Sequence, residues 1–143
     1  MEKGLAIITG ADGGMGQVIT AALAKEGYPV IMACLDPEKA ASICTRIQQE
    51  TGNMQIEVRA INLASLSSVN NFTGQLLKEG RPVSRLMNNA GILTTPVRKT
   101  EDGLETIVSV NYMAPYMLTR QLLPLMQPEC RIVNTVSCTY AIG

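Results

Sequence analysis

Four glycines fall within seven positions of the stretch Thr9-Gly10-Ala11-Asp12-Gly13-Gly14-Met15-Gly16. Glycine has no Cβ, so such a run permits backbone angles closed to other residues and lets another molecule come close to the main chain. The stretch follows an apolar run, Leu5-Ala6-Ile7-Ile8, and leads into Gln17-Val18-Ile19-Thr20-Ala21-Ala22-Leu23-Ala24, which has helical composition. At a strand-to-helix junction the first helical N–H groups have no internal partner and the positive end of the helix dipole points outward. A phosphate is the natural occupant. The other use of these glycines is a tight turn and nothing more. A nucleoside-triphosphate loop is excluded, because no Gly-Lys-Ser/Thr follows.

Asn111 offers a second chemical feature. In an α-helix its carbonyl would accept from the N–H of residue 115, but residue 115 is proline and has none. The carbonyl is therefore left to hold something else, although Pro115 also reads as a kink in a packed helix. The four cysteines, Cys34, Cys44, Cys130 and Cys138, form no C-x-x-C pair, and the chain has no histidine. A metal site is not expected, and serine-histidine or cysteine-histidine nucleophilic catalysis is excluded. Free thiols in a reducing compartment are the preferred reading.

The elements that must position these residues can be read in order. Leu5 to Thr9 and Pro29 to Cys34 are continuous apolar strands of the kind buried on both faces of a parallel sheet. Met15 to Glu26 has helical spacing and stops at Gly27. Asp36-Pro37-Glu38 starts a second helix that runs to about Glu50. Gln55 to Ile61 alternates polar and apolar and is a third strand near a sheet edge. Ser65 to Glu79 is a third helix closed by Gly80, and Val83 to Met87 a short fourth strand ending at Asn88-Asn89-Ala90-Gly91. About Glu101 to Met126 is mostly helical, interrupted at Pro115 and Pro124. Arg131 to Val136 is a fifth strand. Alternating strands and helices predict an α/β fold, a doubly wound parallel sheet in the order 3-2-1-4-5. Its crevice opens between the carboxyl ends of the first and fourth strands, so the glycine loop and Asn88 to Gly91 face each other across one site.

At 143 residues there is room for one domain, residues 1–143, with a real core. Twelve Lys and Arg balance twelve Asp and Glu, which gives no support for a nucleic-acid or membrane-surface partner. The apolar runs fall short of the ~20 residues of a membrane span, and the start does not read as a signal peptide. The cytoplasm is the expected location.

Taken together, Thr9-Gly10-x-x-x-Gly14-x-Gly16, Asn88-Asn89-Ala90-Gly91, Asn111 and Ser137 resemble the short-chain dehydrogenase/reductase family, in order along the whole chain. Leu86 to Ile92, Val110-Asn111-Tyr112 and Arg131 to Asn134 look most like its retinol-dehydrogenase-like branch. The resemblance implies a Rossmann-type sheet and an oxidoreductase passing hydride between NAD or NADP and a small-molecule alcohol or carbonyl. It places the pyrophosphate and adenosine ribose on the loop around Gly10, Asp12, Gly13, Gly14, Met15 and Gly16. It also places adenine at Asn62 and Leu63, where an acidic residue is usual, and the cofactor over Asn89, Ala90 and Gly91, while Asn88 ties the fourth strand to its neighbours. Asn111 would hold a relay water through its carbonyl. Ser137 would hydrogen-bond the substrate oxygen and stabilise charge developing there.

The residue that chooses between NAD and NADP lies at the end of the second strand, a carboxylate for the ribose hydroxyls or an arginine for the 2′-phosphate. Cys34 and Leu35 stand at the family's acidic and basic positions, so neither signal is present. Asp36 is one residue late and reads equally as a helix cap. Lys39 is either a phosphate partner or part of a solvated helix surface. The choice of cofactor stays open.

The family's proton-donating tyrosine and the lysine four positions after it lie well beyond the serine. Tyr140 is too close to Ser137 to take that role, and no lysine follows. The chain is therefore expected to be the amino-terminal part of an oxidoreductase, lacking its acid/base pair and the last strands, and inactive alone. The apolar surface so exposed favours association, including a homo-oligomer. The alternative is a truncated, non-catalytic dinucleotide-binding module.

Overall fold

The computed structural model describes residues 2–138. Five parallel strands, β1 (Leu5–Thr9), β2 (Val30–Cys34), β3 (Ile56–Ala60), β4 (Val83–Asn88) and β5 (Met126–Asn134), form one sheet in the order β3-β2-β1-β4-β5. Between them run α1 (Gly14–Lys25), α2 (Pro37–Thr51) and α3 (Leu66–Glu79). A broken helix follows, made of α4 (Thr106–Val108), a π-helical turn (Ser109–Met113) and α5 (Ala114–Leu122). This is the doubly wound order expected from the alternation of elements.

Side chains alternate across a strand, so β1 feeds two cores. Leu5 and Ile7 join Ile31, Phe72, Leu76, Leu86 and Leu118 on the side of α3 and α5. Ala6 and Ile8 join Val30, Met32, Ala40 and Ile47 on the side of α1 and α2. Every residue of β1 and of β2 is buried, which is why both read as unbroken apolar runs. Helix ends follow local chemistry. The Asp36 carboxylate accepts from the Lys39 N–H at 3.1 Å and Pro37 opens α2. Ser65 caps α3 through the Ser68 N–H at 3.3 Å.

The two edges of the sheet differ. β3 carries Glu57 and Arg59, which pair with Glu79 and Arg81, with Arg59 Nη1 to Glu79 Oε1 at 2.6 Å. Charge blunts that edge against further pairing. β5 instead leaves Ile132 and Val133 about two-fifths exposed.

Two elements depart from the sequence expectation. β5 begins at Met126 rather than Arg131, because Met126 pairs with Val83 before Arg131 pairs with Arg85. The five-residue advance on β5 against two on β4 bulges Gln127 to Cys130 out of register. The helix expected from Glu101 begins at Thr106, since the residues before it form a turn closed by the Lys99–Glu105 bridge.

Candidate dinucleotide site

At the carboxyl ends of β1, β2 and β4 lies a cavity of about 580 Å³. The glycine loop forms one wall, residues 61–64 and 89–92 form others, and Leu35 and Lys39 lie at the mouth of β2. The loop is built by close approach. Gly10 adopts φ +61°, and a Cβ on it would meet the Ala90 Cα at 3.0 Å. A Cβ on Gly16 would fall 2.1 Å from the Gly10 carbonyl oxygen, so α1 can sit this near β1 only with glycine there.

Thr9, buried at the end of β1, joins the two facing loops. Its Oγ1 accepts from the N–H groups of Asn89 and Ala90, both at 3.0 Å. Asn89 returns the contact, its Nδ2 donating to the Thr9 carbonyl at 3.2 Å. Asn88 points the other way, donating to Thr119 Oγ1 at 3.1 Å and to Asn134 Oδ1 at 2.9 Å, and so ties β4 to α5 and β5.

Gly10, Asp12, Gly13, Gly14, Met15, Gly16, Asn62, Leu63, Asn89, Ala90 and Gly91 all line this one cavity. Three other sequence candidates do not. Asp36 spends its carboxylate on the cap of α2. Asn111 makes a reciprocal pair with the backbone of Ile92, its Oδ1 accepting and its Nδ2 donating at 2.8 Å each, and so pins the loop after β4. Ser137 is exposed just beyond β5. Tyr140 lies outside the described residues.

Ala33, Leu35, Lys39, Ile61, Val110 and Thr135 were not foreseen as principal site residues, yet they line the cavity. Thr135 does so because its N–H continues the β4–β5 ladder to the Asn88 carbonyl at 3.0 Å. Ser109 is a buried support, donating to the Leu63 carbonyl at 3.0 Å. The register of β5 could have pointed to Thr135, whereas the bond of Ser109 depends on the π-helical turn and has no local signal.

Asn111 lies within that π-helical turn, where the Ala114 N–H reaches back to the Ser109 carbonyl. Pro115 follows directly and supplies no donor to the Asn111 carbonyl. π-turns of this kind are frequent at functional sites.

Beneath the loop, burial first and the charge of Asp12 second push the Cys34 thiol up to about 12. It stays protonated and unreactive at neutral pH.

An anion fits these surroundings. The N-cap of α1, Gly13, offers no side-chain cap, so the cap position itself leaves the donors of this twelve-residue helix uncapped. Gly14 faces the cavity, and a Cβ there would touch nothing in the protein, so its absence leaves room for a guest rather than for a neighbour.

Residues 4–141 match the short chain dehydrogenase family. The chain belongs to the short-chain dehydrogenase/reductase family. Among curated relatives, human retinol dehydrogenase 11 is 36% identical over 139 residues, which cover 96% of this chain and 44% of that protein. The chain thus spans less than half the length of that relative. Among solved structures, an uncharacterized protein from Mycobacterium paratuberculosis superposes with a TM-score of 0.84 at 33% identity, covering 97% of this chain and 48% of that one. A metagenomic short-chain oxidoreductase in complex with NADP gives 0.73 at 26% identity, covering 87% and 57%. No described helix is long and apolar enough to cross a membrane.

Proposed function

We propose that this chain is the dinucleotide-binding part of an NAD(P)-dependent oxidoreductase that interconverts a small alcohol and its carbonyl. One observation carries the reading: a glycine-walled cavity of about 580 Å³ meets the N-terminus of a helix whose cap leaves its donors to a ligand. The N–H groups at the start of α1 would hold the pyrophosphate, with Gly10 to Gly16 keeping the backbone within reach. Asn62 and Leu63 border the adenine end. Asn89, Ala90 and Gly91 support the nicotinamide arm, and the first two are themselves fixed by Thr9.

When bound, the nicotinamide supplies the hydride acceptor or donor. The chain's own residues would then orient the substrate and handle protons. Ser137 is assigned to hydrogen-bond the substrate oxygen and Asn111 to hold a relay water on its carbonyl. By resemblance to the family, a tyrosine and a lysine would supply the acid/base pair that completes the reaction, and no described residue of this chain is assigned that role. Four free cysteines, two of them buried, support a reducing, cytoplasmic setting. The exposed apolar side chains of β5 support association with a further surface, a second copy included.

The test is direct titration of the protein with NADH and with NADPH, followed by ligand fluorescence. Saturable binding of at least one is expected; silence from both would sink the reading. Binding without alcohol or carbonyl turnover by the full-length protein would favour a non-catalytic module.

A further inference from the structure

We infer that Asp12 supplies from the glycine loop the carboxylate that the end of β2 lacks, and that it makes this site select NAD over NADP. The inference rests on the dinucleotide reading above and adds to it the nature of the adenosine-ribose contact.

The end of β2 offers no charge of its own, since Cys34 is buried and Leu35 is an exposed apolar side chain at the cavity mouth. Asp36 is occupied with the N-cap of α2 and does not line the cavity. Asp12 does line it. The glycine loop is tied to β2 by the Gly10 N–H, which donates to the Ala33 carbonyl at 3.0 Å, and the Asp12 side chain lies against the Cys34 thiol. Its carboxylate therefore stands at the strand end where a ribose-binding acid is wanted, although it comes from a different segment.

The backbone of Asp12 is also held in place. Gln17 Nε2 donates to the Asp12 carbonyl at 2.7 Å, Gln17 Oε1 accepts from Arg46 Nη2 at 2.7 Å, and Arg46 is paired with Glu50 at 3.0 Å. With its backbone fixed through α1 and α2, Asp12 presents from a held segment a carboxylate able to accept two hydrogen bonds from a vicinal diol. The same charge repels a 2′-phosphate.

Lys39 argues the other way, as the other charged residue among those lining the cavity. It is exposed, on a flexible stem, and shares the first turn of α2 with the Asp36 and Glu38 carboxylates. Asp12 is half-buried, where charge is less screened by solvent. The fixed and shielded charge decides the preference over the solvated one.

The test measures dissociation constants for NADH and NADPH on the wild type, Asp12→Asn and Lys39→Ala, and competition of 5′-AMP and 2′,5′-ADP on the wild type alone. About tenfold tighter binding of NADH is expected, the scale of one hydrogen-bonded charge. 5′-AMP should compete better than 2′,5′-ADP. Asp12→Asn should collapse or invert the preference, and Lys39→Ala should leave it standing. Wild-type preference for NADPH or 2′,5′-ADP overturns the proposal, as does an unchanged ratio in a folded Asp12→Asn protein. The competition result decides by itself if that variant does not fold. Failure of every nucleotide to bind removes the dinucleotide reading itself, an outcome distinct from the wrong preference.

Discussion

The two walls of the cavity solve one problem by opposite means. The wall after β1 is made by leaving side chains out, so that at Gly10 and Gly16 backbone lies against backbone and at Gly14 the space stays open. The wall after β4 is held by hydrogen-bonding side chains, Asn89 and Asn111 each anchoring a stretch of main chain while Asn88, behind the wall, bonds the side chains of Thr119 and Asn134. Thr9 joins the two. At Gly10 and Gly16 the first wall is therefore intolerant of added volume, and the second wall is intolerant of lost polarity.

The sharpest way to break the first wall is Gly16→Ala. The new methyl carbon would lie 2.1 Å from the Gly10 oxygen and 2.7 Å from the Ala11 Cα, both backbone atoms that cannot swing away. A loss of about 3 kcal/mol or more, or failure to fold, is expected. Urea denaturation measures it, and near-wild-type stability would show that α1 can lift off β1 cheaply.

The walls should also part in their response to alkali, because a titrating thiol underlies only one of them. Burial and then the Asp12 charge raise Cys34 from 9.0 to about 12. A group whose folded pKa lies above its unfolded value contributes fully below the unfolded pKa, and its contribution is lost as pH rises through 9 toward 12. By pH 11 the loss is on the order of 2–3 kcal/mol. Burial also raises Cys44 and Cys130, so part of the alkaline decline belongs to them. Thermal melts from pH 8 to 11 should show the decline in the wild type and a shallower one in Cys34→Ala. Identical profiles would place the alkaline sensitivity elsewhere.

Thr9→Val tests the seam between the walls. It keeps the shape of the side chain but removes the acceptor for two backbone N–H groups. About 2 kcal/mol is expected from leaving them without it. Urea unfolding gives the number, and dinucleotide affinity should fall with it, because Asn89 and Ala90 lose their anchor.

The same contrast explains what could be read from the residues alone. A glycine forced by backbone contact leaves its mark in spacing, so Gly10 and Gly16 announced the loop, and the unbroken apolar runs of β1 and β2 announced a doubly covered sheet. Asn88 was legible as a tie between strands. The start of β5 was not, because the bulge at Gln127 to Cys130 is set by pairing with β4 and has no local code. The π-turn at Ser109 to Met113 was visible only as a proline at 115. Asp36 could be read as ribose ligand or as cap, and only its bond to the Lys39 N–H distinguishes the cap. Lys39, legible either as a phosphate partner or as solvated helix surface, lines the cavity mouth.

The smallest effect on the fold is the most informative about the site. Gly14→Ala adds a methyl group that meets no protein atom within 4 Å, and alanine is the better helix former, so stability should hold or rise by up to about 0.5 kcal/mol. On the proposed reading, the methyl group enters the space that a pyrophosphate would take beside the helix N-terminus. Affinity for NADH should fall by about tenfold or more while the melting temperature does not. Gly16→Ala loses fold and binding together, whereas Gly14→Ala should lose binding alone. If both properties survive at Gly14, the open space there serves no ligand and the glycine wall is only a turn.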